Sequence, residues 1–498
     1  MNLVNVMNFV RSKDTNPESE PKMFTATVKE IDLVKKYGIE NTFLLQYDAF
    51  NDEKYVKLFH EKKDNKMELG LWLEIVRPLV KNVGLEWRGR DCDWDWHIVP
   101  GFIMAYTHFE RKLLLDEAMN SFQKVFGYYP KTVGSWLMDS YSMEYLTEKY
   151  DVKAFAVCRD QTDTDAYTLI GGVINNPYFA SKYNMLCPAQ TLKNRISAPV
   201  FRLLCSCPIH NYELNKYMYD CNAHLRSVPA TMEPFWYLGS HSDSVDWFLK
   251  TTLDNENLGI SYLHIGQENS MLGQLDDEKM TIALEMQIKK LLMRNDVKVM
   301  KMSDTGELFA EKYKFTPPSC LVAYDDWTGE DLKSVYYNCK NYVCNLFWRD
   351  NKLYIRELFD FKENFHERYY DKKCETWDAV YENLPVVDTQ KWGENPDDCG
   401  IFIDGLINNF TCTGENGILT VKFSDKSIVF KEDTIIFNNC SLKFLLGNCD
   451  ADIAYSGDSL YYCYNGFEYS IKVTAITSVN DYYFNFLPDN GVIVFKFV

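Results

Sequence analysis

Along the first part of the chain, short apolar runs alternate with stretches whose apolar residues recur at helical spacing. The run from Leu3 to Val10 predicts a buried strand. Val28 to Tyr37 follows with Ile31, Leu33, Val34 and Tyr37 on one helical face, and Gly38 ends that helix. A second strand is predicted from Thr42 to Tyr47, stopping at Asp48, and a second helix from Glu53 to Lys62. The third strand, Met67 to Ile75, has a period of two that puts Glu68, Trp72 and Glu74 on one face. Three strand-helix units in so short a span imply a parallel sheet.

The rhythm resumes with a helix from Thr107 to Phe126, closed by Gly127 and Pro130. Val133 to Asp165, VGSWLMDSYSMEYLTEKYDVKAFAVCRDQTDTD, then reads as strand, helix and strand, with Asp139 and Asp160 just past the two strands. Val200 to Cys205 and Ile260 to Ile265 predict the sixth and seventh strands, the latter ending at Gln267, Glu268 and Asn269. Helices are expected at Val245 to Leu253, Asp277 to Arg294 and Thr305 to Lys314, with the apolar piece Val297 to Met300 between the last two. This α/β pattern over residues 1–315 predicts a distorted (β/α)7-type barrel. After Pro317 and Pro318 the pattern changes to short runs rich in β-branched and aromatic residues, separated by Gly, Asn and Asp turns. Residues 316–498 therefore read as an all-β, antiparallel β-sandwich, and the short link implies that it packs on the barrel.

Two segments lack either period. Leu85 to Gly101, LEWRGRDCDWDWHIVPG, has the look of a functional rim loop, and Gly171 to Pro177 is too turn-rich for core. A further apolar piece carries Glu233, Trp236, Tyr237 and His241.

The net charge of −18 and pI near 5.0 argue against a nucleic acid or an anionic membrane as partner, since both would be repelled at long range. The 15 cysteines form no CxxC pair and are odd in number, which fits a reducing compartment. Leu3 to Val10 is too short for a membrane span and is followed, not preceded, by Arg11 and Lys13, so a cytoplasmic protein is expected. The 33 Tyr and 11 Trp supply a ring-rich core and also flat faces suited to sugar rings.

Several chemistries find no matching motif. A metal-dependent deacetylase would need paired aspartates after the first strand and a His-x-x-x-His pair after the third, where this chain has Asn8-Phe9-Val10-Arg11 and ELGLWLE. The 8 His never pair at ligand spacing; His97, beside Asp91 to Asp95, is the one ligand nucleus, with a solvated loop as its other reading. No GxSxG elbow or phosphate-cradling glycine loop is present, and no cofactor or metal is expected.

Carboxylate chemistry remains. Glycosidic cleavage needs two facing carboxyls with separated pKa values, about 5–5.5 Å apart for retention and about 6.5–9.5 Å for inversion. Asp139 after the fourth strand is the candidate nucleophile and Glu268 after the seventh the candidate general acid/base. Capping of the next helix is an equally open reading of Asp139. Trp72, Glu74, Trp94, Asp95, His97, Trp136, Asp160, Asp165, Trp236, His241 and Gln267 are the candidate substrate-binding residues, with Asp163, Glu68 and Glu233 as further acids.

The stretch YYPKTVGSWLMDSYSMEYLTEKYDVKAFAVCRDQ resembles the nucleophile region of the α-mannosidases of glycoside hydrolase family 38. The placement of acids after strands four and seven is similar to glycoside hydrolase family 57, where the nucleophile is Glu and the acid Asp. Phrases such as PAQT, PVFR and GQENS are similar to uncharacterised bacterial proteins of the same glycoside hydrolase/deacetylase barrel superfamily. The resemblance implies a glycoside hydrolase acting on a carbohydrate. A metal-dependent carbohydrate deacetylase and a non-catalytic sugar-binding protein are the alternatives. The mannosidases' His-x-Asp zinc segment is absent here, and family 57 has Glu where this chain has Asp139.

Overall fold

The computed structural model describes residues 1–211, 230–234, 237–254, 258–270, 277–395, 398–474, 476–480 and 482–497. Its first half contains the strands β1 (Asn2–Val10), β2 (Asn41–Gln46), β3 (Met67–Trp72), β4 (Thr132–Gly134), β5 (Ala154–Cys158), β6 (Gln161–Thr164), β7 (Tyr167–Ile170), β8 (Ala180–Ser181), β9 (Asn184–Pro188), β10 (Val200–Leu203), β11 (Ser261–Ile265) and β12 (Val297–Met300). Seven of these form a parallel sheet in the order β10-β5-β4-β3-β2-β1-β11 that curls into a nearly closed barrel. β12 pairs with the first residues of β1, on the edge that β2 takes over from Met7 onward.

Strand parity sorts the side chains. Val4, Val6, Phe43, Leu45, Leu69, Leu71, Phe155 and Val157 point out, into the core beneath the helices. Leu3, Met7, Phe9, Leu44, Trp72, Ala156, Phe201 and Tyr262 fill the inside. A Cβ on inward-facing Gly134 would lie 2.4 Å from Leu44 and 3.0 Å from the Trp72 ring, so only glycine leaves room there for the indole.

Among the described residues no strand ladder joins β10 to β11. His264 closes the gap: its Nδ1 accepts from the Leu204 N–H at 3.0 Å, and its Nε2–H donates to the Met7 carbonyl at 3.2 Å. Burial lowers this imidazole to about pKa 4, which keeps it neutral and able to accept at Nδ1.

The second half is antiparallel. One sheet begins at Ser319–Ala323 and a second at Thr411–Glu415, and they face each other across a common core. Tyr342 stacks on Phe497 and Trp348 on Phe410 within it, each pair at 4.2 Å. Strands such as Leu384–Asp388 and Cys399–Ile403 add to those the sequence pattern suggested, and Lys333–Asn338 and Tyr342–Arg349 divide one run that looked continuous.

The two halves interlock. Residues 361–382 leave the sandwich and cross the barrel, where Ala379–Glu382 adds a parallel strand to β7, which itself forms a hairpin with β6. Glu367 accepts the backbone N–H groups of Ser140 and Met185 at 2.9 and 2.8 Å. Arg356 donates to the carbonyls of Pro208 and Ile209. Among the described residues no helix is long and apolar enough to cross a membrane.

Burial pushes Glu357 up to about 8 and Asp360 up to about 7, and raises Glu367 as well. Each gives up its proton at a higher pH in the fold than in the unfolded chain, where the carboxyl ionises at about pH 4. A raised acid contributes stability that is complete below its unfolded pKa and disappears as pH rises through the folded one. His264 acts in the opposite sense, losing its contribution as pH falls from its ordinary value toward 4, but it is a single group. We therefore expect Tm to fall between about pH 5 and about pH 9. A melting curve flat or rising over that window, by scanning calorimetry, would contradict neutral carboxyls at the seam.

Candidate active site

The inward rows continue past the strand ends and converge at the barrel mouth. On β1 the row Leu3, Asn5, Met7, Phe9 leads to Arg11; beyond β2 it reaches Asp48, and beyond β3, Glu74. At β11, Gly266 makes the decisive turn. With φ of +134° its Cα lies against β1, where a Cβ would be only 1.8 Å from the Met7 carbonyl oxygen. That approach lets Phe9 N–H donate to Gln267 O at 3.1 Å and sets Glu268 opposite Phe9.

Arg11 and Glu268 are the centre of the mouth. Arg11 Nη2 lies 2.5 Å from Glu268 Oε1 and donates to Ser270 Oγ at 2.8 Å, while Ser270 also hydrogen-bonds Glu268. The Arg11 backbone is fixed on both sides by Asn269, through Arg11 N–H to Oδ1 at 2.9 Å and Nδ2 to Arg11 O at 2.8 Å. The guanidinium stacks on Trp94, 4.0 Å from the ring centroid. Nε and Nη1 of Arg11, Oε2 of Glu268 and the hydroxyl of Ser135 are buried without a partner among the described residues, while the indoles of Trp72 and Trp94 are close enough to Glu74 to lower its pKa as hydrogen-bond donors. Buried polar groups are rarely left unpaired, so this set is built to receive polar atoms from outside the chain.

Other acids surround the pair. Burial raises Glu74 to about 7 against the pull of Arg11, and its Oε2 accepts from Gln46 Nε2 at 2.5 Å. Burial likewise raises Asp48 to about 7, and lifts Glu30, bonded to Gln267 Nε2 at 3.3 Å, well above the carboxylate range. Asp165 differs from these in being open to solvent, at the tip of the β6–β7 hairpin with φ of 53°. Desolvation by the atoms packed near it nonetheless raises its pKa, with the charge of Glu268 next in effect and Arg11 and Arg159 opposing.

Trp72 and Trp136 line the throat below. Trp72 stacks on Phe9 at 4.3 Å and meets Trp136 edge-on at 5.4 Å. Of the substrate-binding candidates, Trp72, Glu74, Trp94, Trp136, Asp165 and Gln267 thus gather around Glu268.

The other described candidates lie apart from this group. β4 stops at Gly134, short of the expected strand, and Asp139 caps the helix Ser140–Tyr150. Its Oδ1 accepts from Ser142 N at 3.0 Å and pairs with Arg111 Nη1 at 2.8 Å, and its Oδ2 accepts from Ser142 Oγ at 2.8 Å. Both oxygens are engaged and the residue has no exposed surface, so the nucleophile assignment gives way to the cap. Asp160 is ion-paired with buried Arg202 and accepts from Gly172 N–H, a structural pairing of β5 with β10. Asp95 and His97 are bonded to each other in the rim loop. His241 is exposed ahead of the helix Ser242–Leu253. Trp236 lies outside the described residues.

Arg11 was missed by the sequence reading, which took it as a charge flanking an apolar run. The period of two that marked Glu68, Trp72 and Glu74 would have placed it in the mouth.

Among the described residues no group of three or more His, Cys, Asp and Glu is arranged to hold a metal ion. The mouth does not fit the metal of a deacetylase: its donors include no imidazole, and Arg11 stands among the carboxyls where a cation would have to sit.

No family model matches the sequence, and no curated protein matches it. Among solved structures, a provisionally assigned glycoside hydrolase/deacetylase from Parabacteroides distasonis is similar over 80% of this chain and 92% of its own, at 14% identity and a TM-score of 0.59. A provisionally assigned polysaccharide deacetylase from Mycobacterium smegmatis aligns over 63% of this chain and 92% of its own, with 13% identity and a TM-score of 0.40. A family 57-type branching enzyme from Pyrococcus horikoshii aligns over 62% and 70%, with 10% identity and a TM-score of 0.33. The nearly closed parallel barrel, taken with the Parabacteroides distasonis structure, gives this chain the fold of the glycoside hydrolase/deacetylase barrels.

Proposed function

We propose that the protein is a glycoside hydrolase in which Glu268 and Asp165 act as the two carboxyls. The observation that carries this is their contrast within one mouth. Glu268 is bound to a guanidinium and keeps one oxygen free, whereas Asp165 is solvent-accessible and held toward its protonated form. Glycosidic cleavage asks for that division, with one acid to protonate the leaving oxygen and one carboxylate to meet the positive charge at the anomeric carbon.

In this scheme Asp165 gives its proton to the glycosidic oxygen as the C–O bond breaks, and the departing hydroxyl carries it away; a water molecule then adds to the anomeric carbon and returns a proton to Asp165. Glu268, read from the sequence as the general acid/base, instead faces the anomeric carbon through Oε2 and balances its positive charge, and Arg11 and Ser270 hold it in place. Glu74 and Asp48, which burial holds toward their protonated forms, offer hydrogen bonds to sugar hydroxyls. Trp72 and Trp94 hold Glu74 in place through their indole N–H groups.

The test is release of new reducing ends from neutral oligosaccharides, followed with and without EDTA. Release that persists in EDTA and falls by about 10²-fold or more in Asp165→Asn supports the reading. Acetate release without chain cleavage, or full activity in Asp165→Asn, would overturn it.

A further inference from the structure

The rim loop carries a second cluster just past the tryptophan that covers Arg11. Asp95, fully buried, accepts from Arg90 N–H at 3.0 Å and from Arg90 Nε and Nη2 at 2.9 Å each, and lies 2.7 Å from His97 Nδ1. Burial alone would raise this carboxyl, but the hydrogen bonds from Arg90 and His97 outweigh it and hold it well below the usual range. An ionised Asp95 accepts from His97 Nδ1–H, which leaves the Nε2 edge of the ring with no partner among the described residues.

Two indoles frame that imidazole. Trp96 stacks on it at 3.9 Å, and Trp377 meets it edge-on at 4.7 Å. Trp377 comes from the segment that leaves the sandwich, is 48% exposed, and is tied to the loop through its carbonyl, which accepts from Ile98 N–H at 3.2 Å. An indole fixed from behind and open in front, beside an oriented imidazole edge, has the form of a sugar-binding surface: the ring takes the C–H face and the Nε2 edge meets a hydroxyl. The loop also selects by charge. Glu86, Asp91, Asp93 and Asp95 outnumber Arg88 and Arg90 within it, which disfavours an acidic sugar.

We propose that Trp377, Trp96 and His97 form a distal subsite for a neutral pyranose unit, so that the substrate is an oligosaccharide reaching from Glu268 across Trp94 to the sandwich-borne Trp377. The continuity is covalent, since Trp94, Trp96 and His97 are nearly consecutive and Trp94 already stacks on Arg11. The proposal rests on the hydrolase reading for the position of the scissile bond.

The experiment uses the full chain carrying Glu268→Gln, to prevent turnover, and calorimetric titration with disaccharides and hexasaccharides of the malto, cello and manno series. For the series that binds, the hexaose should bind more tightly than the disaccharide. Adding Trp377→Ala should reduce that length advantage about tenfold, and Trp377→Tyr should restore much of it. Trp377 is exposed, so the substitutions leave the core intact. An advantage unchanged within about twofold, or no hexaose binding in any series, overturns the subsite. Length-dependent binding through Trp377 in a protein whose wild type cleaves none of these chains would leave the subsite standing and remove the hydrolase reading.

Discussion

Replacing Glu268 by Gln is expected to lower kcat by about 10³-fold or more while the protein still folds. The amide keeps the size of the carboxyl and an oxygen for Ser270 and Arg11, but it cannot carry the negative charge that the developing oxocarbenium requires. Loss of a buried counter-ion would ordinarily strand the guanidinium. Here Glu74 and Asp14 also lie within reach of the Arg11 charge, and Glu74, held neutral in the wild type, ionises to replace the missing partner. Circular dichroism and Tm should therefore remain close to wild type while reducing-end release disappears. An active Glu268→Gln enzyme would remove the catalytic assignment altogether.

Asp139→Ala is expected to behave in the reverse way, with a large loss of stability. It leaves the fully buried Arg111 without its ion-pair partner, at about 3–5 kcal/mol, and removes a helix cap worth about 1 kcal/mol. Arg111 also donates to the carbonyls of Met104, Tyr106 and Tyr369, so its displacement would be felt across the barrel–sandwich seam. Urea unfolding reads the effect directly, and Arg111→Met in the same chain should recover part of it, since two apolar groups leave no buried charge. An unchanged midpoint together with lost activity would return Asp139 to the chemistry.

The barrel was legible because strand and helix periods alternate through most of it, and the place of Glu268 at the mouth was legible because it follows the last strong strand. Asp139 follows an equally clear apolar run, but that run, Ser135 to Met138, is buried loop beyond a strand that ends at Gly134. Burial and strand pairing leave the same apolar trace in a sequence. Asp165 was noticed as one acid among several; its place over the mouth depends on the β6–β7 hairpin, whose residues QTDT and YTLI carry no hairpin dipeptide. Trp377 could not be linked to His97 at all, because their contact joins segments 280 residues apart through an interlocked seam.

The strand Ala379–Glu382 completes the sheet that holds Asp165, pairing Ala379 with Tyr167 and Glu382 with Ile170. During synthesis the barrel strands leave the ribosome long before that strand does, since proteins grow at about 5–20 residues per second. A nascent chain can therefore build its mouth, with Arg11 and Glu268 in register, and still lack the support of its acid. Under the proposed roles, a product released early, by a stalled ribosome or a nonsense codon before this strand, would carry the carboxylate without a positioned proton donor. Competence would then require translation past residue 382.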